Sequence, residues 1–230
     1  MVLNSLTDIG ATRSSNQDNF WASRLQVNGK EQAVICLCDG MGGLTHGELA
    51  SKMVVSAVRN HIVGGYPFKN LDRVIKEVNT KIHTSSHGDK SKLMGTTCTC
   101  LQCADGEYKV WHVGDSRAYL VRNGNVTQIT TDHSATQKYN VTKQNNPKMW
   151  EKYKNKLSRC VGVKPELTLD YYEGKAIQGD RFVLCSDGCW RVFEDNAFDV
   201  NLLSNLRLLF DTCIRYGETD NLTMSILTVT

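Results

Sequence analysis

A chain of 230 residues is long enough for one sizeable core and short for two, since domains commonly run to about 100–200 residues. Hydrophobic residues make up 40% and charged residues 22%, with only 3 prolines, a composition that excludes disordered, collagen-like and low-complexity chains. The 27 Lys and Arg exceed the 24 acidic residues by only +3, so the dense basic face of a nucleic-acid binder is excluded as well.

The first residues, Met1 to Ser5, carry neither a basic nor an apolar leader-like region, and no apolar run approaches the roughly 18 residues of a membrane span. The expectation is a protein that stays in the cytoplasm, with no membrane partner. A strand-like run covers 33–38. Apolar positions Leu49, Met53, Val54, Ala57, Val58 and Ile62 then recur at helical spacing, as do Leu71, Val74, Ile75, Val78 and Ile82, with Gly64, Gly65 and Pro67 between the two helices. Further strand-like runs follow at 96–101, 108–113, 118–122 and 126–129. Asp105-Gly106 and Asn123-Gly124 are hairpin signals, so those neighbours should be antiparallel.

The segment 134–156 is rich in Lys, Asn, Gln and Thr and has little periodicity, which suits a long surface insertion or a short irregular helix. Strand-like runs return at 167–172, 182–185 and 222–229. A third helical pattern runs from Leu202 to Ile214, with Gly217 as its stop. Strands grouped apart from paired helices point to α+β layers rather than to a parallel sheet.

Nine cysteines is an odd count, and Cys36, Cys38, Cys98, Cys100 and Cys185 sit inside apolar runs, the pattern of reduced core thiols. Cys98-x-Cys100-x-x-Cys103 also reads as half of a zinc site, but no second Cys/His cluster follows at finger spacing. His83 and His87 stand four apart without the Glu of a zincin, and are read as surface residues. Gly40, Gly42 and Gly43 lack the Gly-Lys-Ser/Thr of a phosphate loop and read as a turn into the following helix.

Three acidic positions flank hydrophobic runs and neighbour Gly or Asn: Asp39-Gly40, Asp187-Gly188 and Asp220-Asn221. Each alone is an ordinary turn dipeptide. If their strands were neighbours, the carboxylates would converge, and such charge requires a cation; oxygen donors alone suit Mg²⁺ or Mn²⁺. Spacing leaves both readings open.

The ordered strings are more specific. They run Gly10-Ala-Thr-Arg13-Ser-Ser-Asn16-Gln17-Asp18-Asn19, then Cys38-Asp39-Gly40-Met41-Gly42-Gly43 with Gly47-Glu48-Leu-Ala50-Ser51, and Met94-Gly95-Thr96-Thr97. After these come His112-Val113-Gly114-Asp115-Ser116-Arg117, Thr130-Thr-Asp132-His133-Ser134, Leu157-Ser-Arg159-Cys-Val-Gly162, Leu184-Cys185-Ser186-Asp187-Gly188 and Thr219-Asp220-Asn221-Leu-Thr223. This series resembles the metal-dependent protein phosphatases of the type 2C class, in their compact bacterial form. It runs in the family's order from about Gly10 to the C-terminus, apart from 134–156.

The resemblance implies a four-layer α-β-β-α sandwich of two antiparallel sheets flanked by helix pairs. One domain would cover 1–230, with a flap-like insertion at about 134–156. It implies two Mn²⁺ or Mg²⁺ ions: Asp39 bridging them, the Gly40 carbonyl completing one, and Asp187 and Asp220 holding the other. Asp18 would grip metal-bound water and Arg13 the substrate phosphate. The implied reaction is hydrolysis of phosphoserine and phosphothreonine in proteins by a metal-bridging hydroxide, opposing a bacterial Ser/Thr kinase. The enzyme would act as a monomer on phosphoprotein substrates.

Three departures stand out. Gln17 replaces a frequent Glu, and Met41 stands where eukaryotic relatives carry a histidine proposed as general acid. Arg191 replaces an Asp that, with Asp115, would hold a third, weaker ion, so that site is expected to be weakened, or filled by the Arg191 cation itself. The competing readings are a catalytically silent phosphatase-like binding module, against which the retained carboxylates argue, and a metal-dependent nuclease, which would want a basic groove.

Overall fold

In the computed structural model, residues 1–230 are described except 28, 42–45, 86–88, 90–91 and 197–199, together with the side chains of 194–196. The order is β1 Val2–Asp8, β2 Asn19–Val27, β3 Lys30–Cys38, α1 Gly47–Val63, α2 Leu71–Ser85, β4 Cys98–Ala104, β5 Glu107–Val113, β6 Arg117–Arg122 and β7 Asn125–Gln128. It continues with α3 Ala135–Lys138, α4 Pro147–Tyr153, β8 Asp170–Lys175, β9 Arg181–Cys185, α5 Asp187–Asn196, α6 Leu206–Arg215 and β10 Leu222–Thr228.

The strands form two five-stranded sheets, β1-β10-β9-β6-β7 and β2-β3-β4-β5-β8, with antiparallel neighbours throughout. Ile35, Leu37, Leu101 and Val110 of one sheet interdigitate with Ala118, Phe182, Leu184 and Leu227 of the other. The alternate residues point outward. Val34, Cys36, Cys98 and Trp111 meet Val54, Val58 and Ile75 of α1 and α2, whereas Val183, Cys185 and Met224 meet Trp190, Leu209 and Phe210 of α5 and α6. Strand alternation thus generates three apolar layers and the α-β-β-α stack. Each fully buried Leu, Ile or Phe contributes about 1.5–3 kcal/mol.

Both hairpin turns form where Asp-Gly and Asn-Gly predict them. Asp105 and Gly106 have φ of 52° and 73°, and Asn123 and Gly124 have 52° and 79°, the left-handed pairs of a tight hairpin. The expected helices become α1, α2 and α6, the last preceded by a 3-10 turn, Val200–Ser204, and capped by Asn205. The expected strand at 167–172 begins later, at Asp170, because Leu167 is drawn into the layer beneath α1 and α2.

Two strands and one helix go beyond the sequence reading. β1 and β2 lack a clean apolar alternation. β1 instead joins β10 through paired hydroxyls, Ser5 to Ser225 at 2.5 Å and Thr7 to Thr223 at 2.8 Å. Asp187-Gly188 starts α5 instead of a simple turn. The 134–156 segment holds two short helices, α3 capped by Ser134 and α4 capped by Asn146. All nine cysteines are free thiols, eight buried and Cys160 partly so. Among the described residues no helix is long and apolar enough to cross a membrane.

Candidate active site

β9 and β10 are neighbours in one sheet, and β3 lies in the sheet stacked upon it, so Asp39, Asp187 and Asp220 emerge at one edge of the sandwich. Asp39 is clamped through its backbone: its N–H donates to Thr97 Oγ1 at 2.8 Å, and its carbonyl accepts from Thr97 N at 2.9 Å and Thr96 Oγ1 at 2.8 Å. The carboxyl groups of Asp39 and Asp187 lie within hydrogen-bonding reach of each other. Asp220 accepts from its neighbour's Asn221 N at 2.8 Å and from Arg13 Nη2 at 2.7 Å. Asp18, on the loop before β2, is buried, and neither of its carboxylate oxygens meets a well-placed donor among the described residues.

Close backbone approach lets these segments meet. A Cβ on Gly40 would lie 2.5 Å from the backbone of Gly47 at the start of α1 and 2.6 Å from Gln17 O. One on Gly188 would lie 2.3 Å from Asn221 O. Asn221 ties the N-terminal loop to the rim: its amide donates to Ile9 O at 2.8 Å and Ser15 O at 3.1 Å, and accepts from Gln17 N at 2.9 Å. Asn221 therefore places Arg13 and Asp18 opposite the strand ends.

The electrostatics follow from crowding like charges in a dry edge. Burial is the main cause that pushes Asp18 up to about 7, Asp187 and Asp220 adding to it while the hydroxyls of Thr223 and Ser186 oppose it. Asp39 is driven well above the carboxylate range by burial and then by Asp18, Asp187, Asp115 and Asp220. Asp115, after β5, is raised to about 8 by burial and Asp187, with Arg191 pulling the other way. Arg191 Nη2 sits 2.5 Å from Asp187 Oδ2, yet burial leaves Asp187 raised.

The fold therefore brings together Arg13, Asp18, Asp39, Asp115, Asp187 and Asp220, with Gly40 directly after Asp39. Gly42, Gly43 and His87 lie outside the described residues. Gln17 enters the site through its backbone, its carbonyl accepting from Gly40 N at 3.2 Å and Ser51 Oγ at 2.6 Å. Met41 faces a cavity of about 320 Å³ lined also by Lys138, Lys156, Arg159 and Lys164.

Two supporting networks went unread in the sequence although their motifs were visible. Arg117 grips Asp132 through Nε and Nη2 and stacks 3.5 Å over Trp190, whose Nε1 donates to Asp115 O at 2.8 Å. His133 bonds Asp170 at 3.0 Å and contacts Arg159, and its Nδ1 accepts from Gly114 N at 3.1 Å. His112, its ring tilted against that of His133 at 4.9 Å, is pushed down to about 3 by burial and is neutral. Both networks brace the loop carrying Asp115.

Crowded carboxylates raised by burial and then by mutual repulsion, with an oxygen-only donor set and an Asp18 whose oxygens lack well-placed donors, fit a hard divalent cation. The sequence profile of the protein phosphatase 2C family matches residues 11–225. The chain belongs to that family. Among its relatives, the serine/threonine protein phosphatase PstP of Mycobacterium tuberculosis is 30% identical over 240 residues, covering 97% of this chain and 44% of PstP. This chain thus spans less than half of that relative's length. Protein phosphatase PhpP of Streptococcus pneumoniae is 29% identical over 247 residues, 100% of this chain and 98% of PhpP. A crystal structure of a bacterial serine phosphatase superposes with a TM-score of 0.84 at 26% identity, covering 100% of this chain and 98% of the other. The catalytic domain of PstP in complex with 2 manganese ions gives 0.76 at 28%, covering 98% and 96%.

Proposed function

We propose that this chain is a divalent-metal-dependent phosphatase of phosphoserine and phosphothreonine in proteins, its whole length forming one such domain. The observation that carries the reading is the convergence of Asp18, Asp39, Asp187 and Asp220 beside Arg13. Asp39 and the Gly40 carbonyl would hold one Mn²⁺ or Mg²⁺, and Asp39, Asp187 and Asp220 a second. Bound there, such ions supply a nucleophilic water and neutralise the phosphoryl oxygens.

The remaining work falls to the protein. Arg13 offers a planar guanidinium that grips two phosphate oxygens and orients the ester. Asp18, buried and short of donors, accepts hydrogen bonds from water at the site. Met41 carries no acidic proton, so the departing serine or threonine oxygen takes its proton from water at the rim. Arg191 places a fixed positive charge on Asp187 and near Asp115, where a third ion would otherwise sit, and we assign that role to the side chain.

The 134–156 segment carries six lysines and one glutamate, and its Lys138 and Lys156 share a cavity with Arg159, Lys164 and Met41. Phosphoproteins with acidic flanking residues suit that wall. A cognate Ser/Thr kinase, a cytoplasmic setting and a monomeric state complete the reading. Hydrolysis of p-nitrophenyl phosphate and of a phosphothreonine peptide, measured with Mn²⁺, with Mg²⁺ and with EDTA, tests it. Turnover should need the ion and vanish in Asp39→Asn. A folded chain without turnover under any ion would instead point to a silent binding module.

A further inference from the structure

In the layer under α1 and α2, and directly preceding Asp39 at Cys38, four cysteines occupy one square of the outer face of a sheet. Cys36 of β3 stands opposite Cys100 of β4, and continuing the same register through the Gly40–Thr96 bridge sets Cys38 opposite Cys98. The backbone bond from Thr97 N to Asp39 O makes 39 and 97 a hydrogen-bonded pair. By alternation, 38/98 and 36/100 are then non-hydrogen-bonded pairs, the kind whose side chains approach most closely. The Sγ atoms of Cys36, Cys38 and Cys98 all lie within 4.8 Å of one another, and the thiols of Cys36 and Cys100 are within hydrogen-bonding reach.

Sulfurs about 2.3 Å from a shared ion stand roughly 3.8 Å apart, so Cys36, Cys38 and Cys98 need shifts of about 1 Å or less to share one, with Cys100 beside Cys36 as a fourth, more distant donor. Burial alone does not require this arrangement. Cys185, Cys189 and Cys213 also share an apolar layer, under α5 and α6, yet among the described residues only the β3–β4 group converges.

We propose that Cys36, Cys38, Cys98 and Cys100 form a binding site for a soft d¹⁰ cation, Cu⁺ in preference to Zn²⁺, separate from the oxygen-lined site. Thiolates select such ions over Mg²⁺ and Mn²⁺. Each ligating thiol exchanges its S–H bond for an S–metal bond, the proton passes to solvent, and no electron is transferred. The number of converging sulfurs chooses between the ions. Zn²⁺ asks for four ligands in a tetrahedron, whereas Cu⁺ is satisfied by two or three thiolates, and three is the number that Cys36, Cys38 and Cys98 bring together among Val34, Val54, Val58 and Trp111.

Because all four thiols are fully buried, the test loads the ion during folding. The full chain is refolded anaerobically with Cu⁺, with Zn²⁺ or with Mn²⁺, desalted, and examined by native mass spectrometry and elemental analysis. One Cu⁺ per chain should be retained, more firmly than Zn²⁺, with the mass deficit of displaced protons. Cys36→Ser with Cys98→Ser should weaken retention about 100-fold or more, while Cys213→Ala should retain the ion. Should the double variant not fold, Cys100→Val removes a single sulfur and should also weaken retention. In the unaltered chain, bound ion should slow alkylation of Cys36, Cys38 and Cys98 relative to Cys160. No retained Cu⁺ or Zn²⁺ after refolding, or equal retention without Cys36 and Cys98, overturns the site. Retention of Zn²⁺ over Cu⁺ overturns the choice of ion. None of these readouts depends on phosphatase activity.

Discussion

Replacing Asp18 by Asn should stabilise the chain when divalent ions are chelated and weaken it when they are supplied. The carboxyl is raised to about 7 from an ordinary value of 3.8, mainly by burial. A raised acid is protonated in both folded and unfolded chains below about pH 4, where it costs nothing. Its cost grows as pH climbs towards 7 and is then constant. Roughly three pH decades at about 1.4 kcal/mol each set an upper bound on the order of 4 kcal/mol. Urea unfolding in EDTA should therefore show Asp18→Asn nearly equal to the parent at pH 4 and more stable at pH 8. Saturating Mn²⁺ should reverse the order, because an ion at about a thousand times its Kd adds about 4 kcal/mol to the parent and less to a chain with a weakened site. A variant less stable than the parent in EDTA at pH 8, or a gap independent of pH, would refute the reasoning.

Gly188→Ala sets a Cβ against Asn221 O at 2.3 Å, so it should cost about 1–3 kcal/mol in chemical unfolding and raise the Mn²⁺ concentration needed for half-maximal activity. Asn221→Ala frees the 9–17 loop and leaves backbone groups unpaired; KM for p-nitrophenyl phosphate should rise along with a loss of about 1–3 kcal/mol in stability. Asp180 is held below the usual carboxylate range by the Arg122 guanidinium, at 2.7 Å on both oxygens, and by Ile177 N–H. Its contribution is present above about pH 4 and lost as pH falls through the lowered value, so Asp180→Asn should flatten the acid limb of the stability profile. Reversing charge with Lys138→Glu and Lys164→Glu should lower kcat/KM for an acidic phosphopeptide about tenfold and leave p-nitrophenyl phosphate turnover within about twofold.

The legible parts were those where local chemistry and global fold agree. Apolar periodicity located α1, α2 and α6, and the Asp-Gly and Asn-Gly pairs located two hairpins, because left-handed φ at both positions is a local demand. The ordered motifs brought Arg13, Asp18, Asp39, Asp187 and Asp220 to one expected site, which spacing alone left open. β1 stayed hidden because its strand character is supplied by a partner over 200 residues away, through Ser5 and Thr7 hydroxyls that do not read as core. α5 stayed hidden because Asp187-Gly188 is equally good turn chemistry. The convergence of the thiols was invisible for the same reason as β1: the set reads as two separate pairs, Cys36-x-Cys38 and Cys98-x-Cys100, and the register that joins them is a tertiary fact.

The pairing of β1 with β10 also has a temporal meaning. Arg13 and Asp220 are 207 positions apart, and Asp39 waits for both Asp187 and Asp220. At about 5–20 residues per second, a ribosome finishes the second half of the site roughly 10 to 40 s after the first. A nascent chain therefore holds an unfinished cluster of carboxylates and a sheet missing its inner strands β9 and β10 until those last segments are made. The carboxylate site is completed as one late event, and truncation anywhere before Asp220 leaves it incomplete.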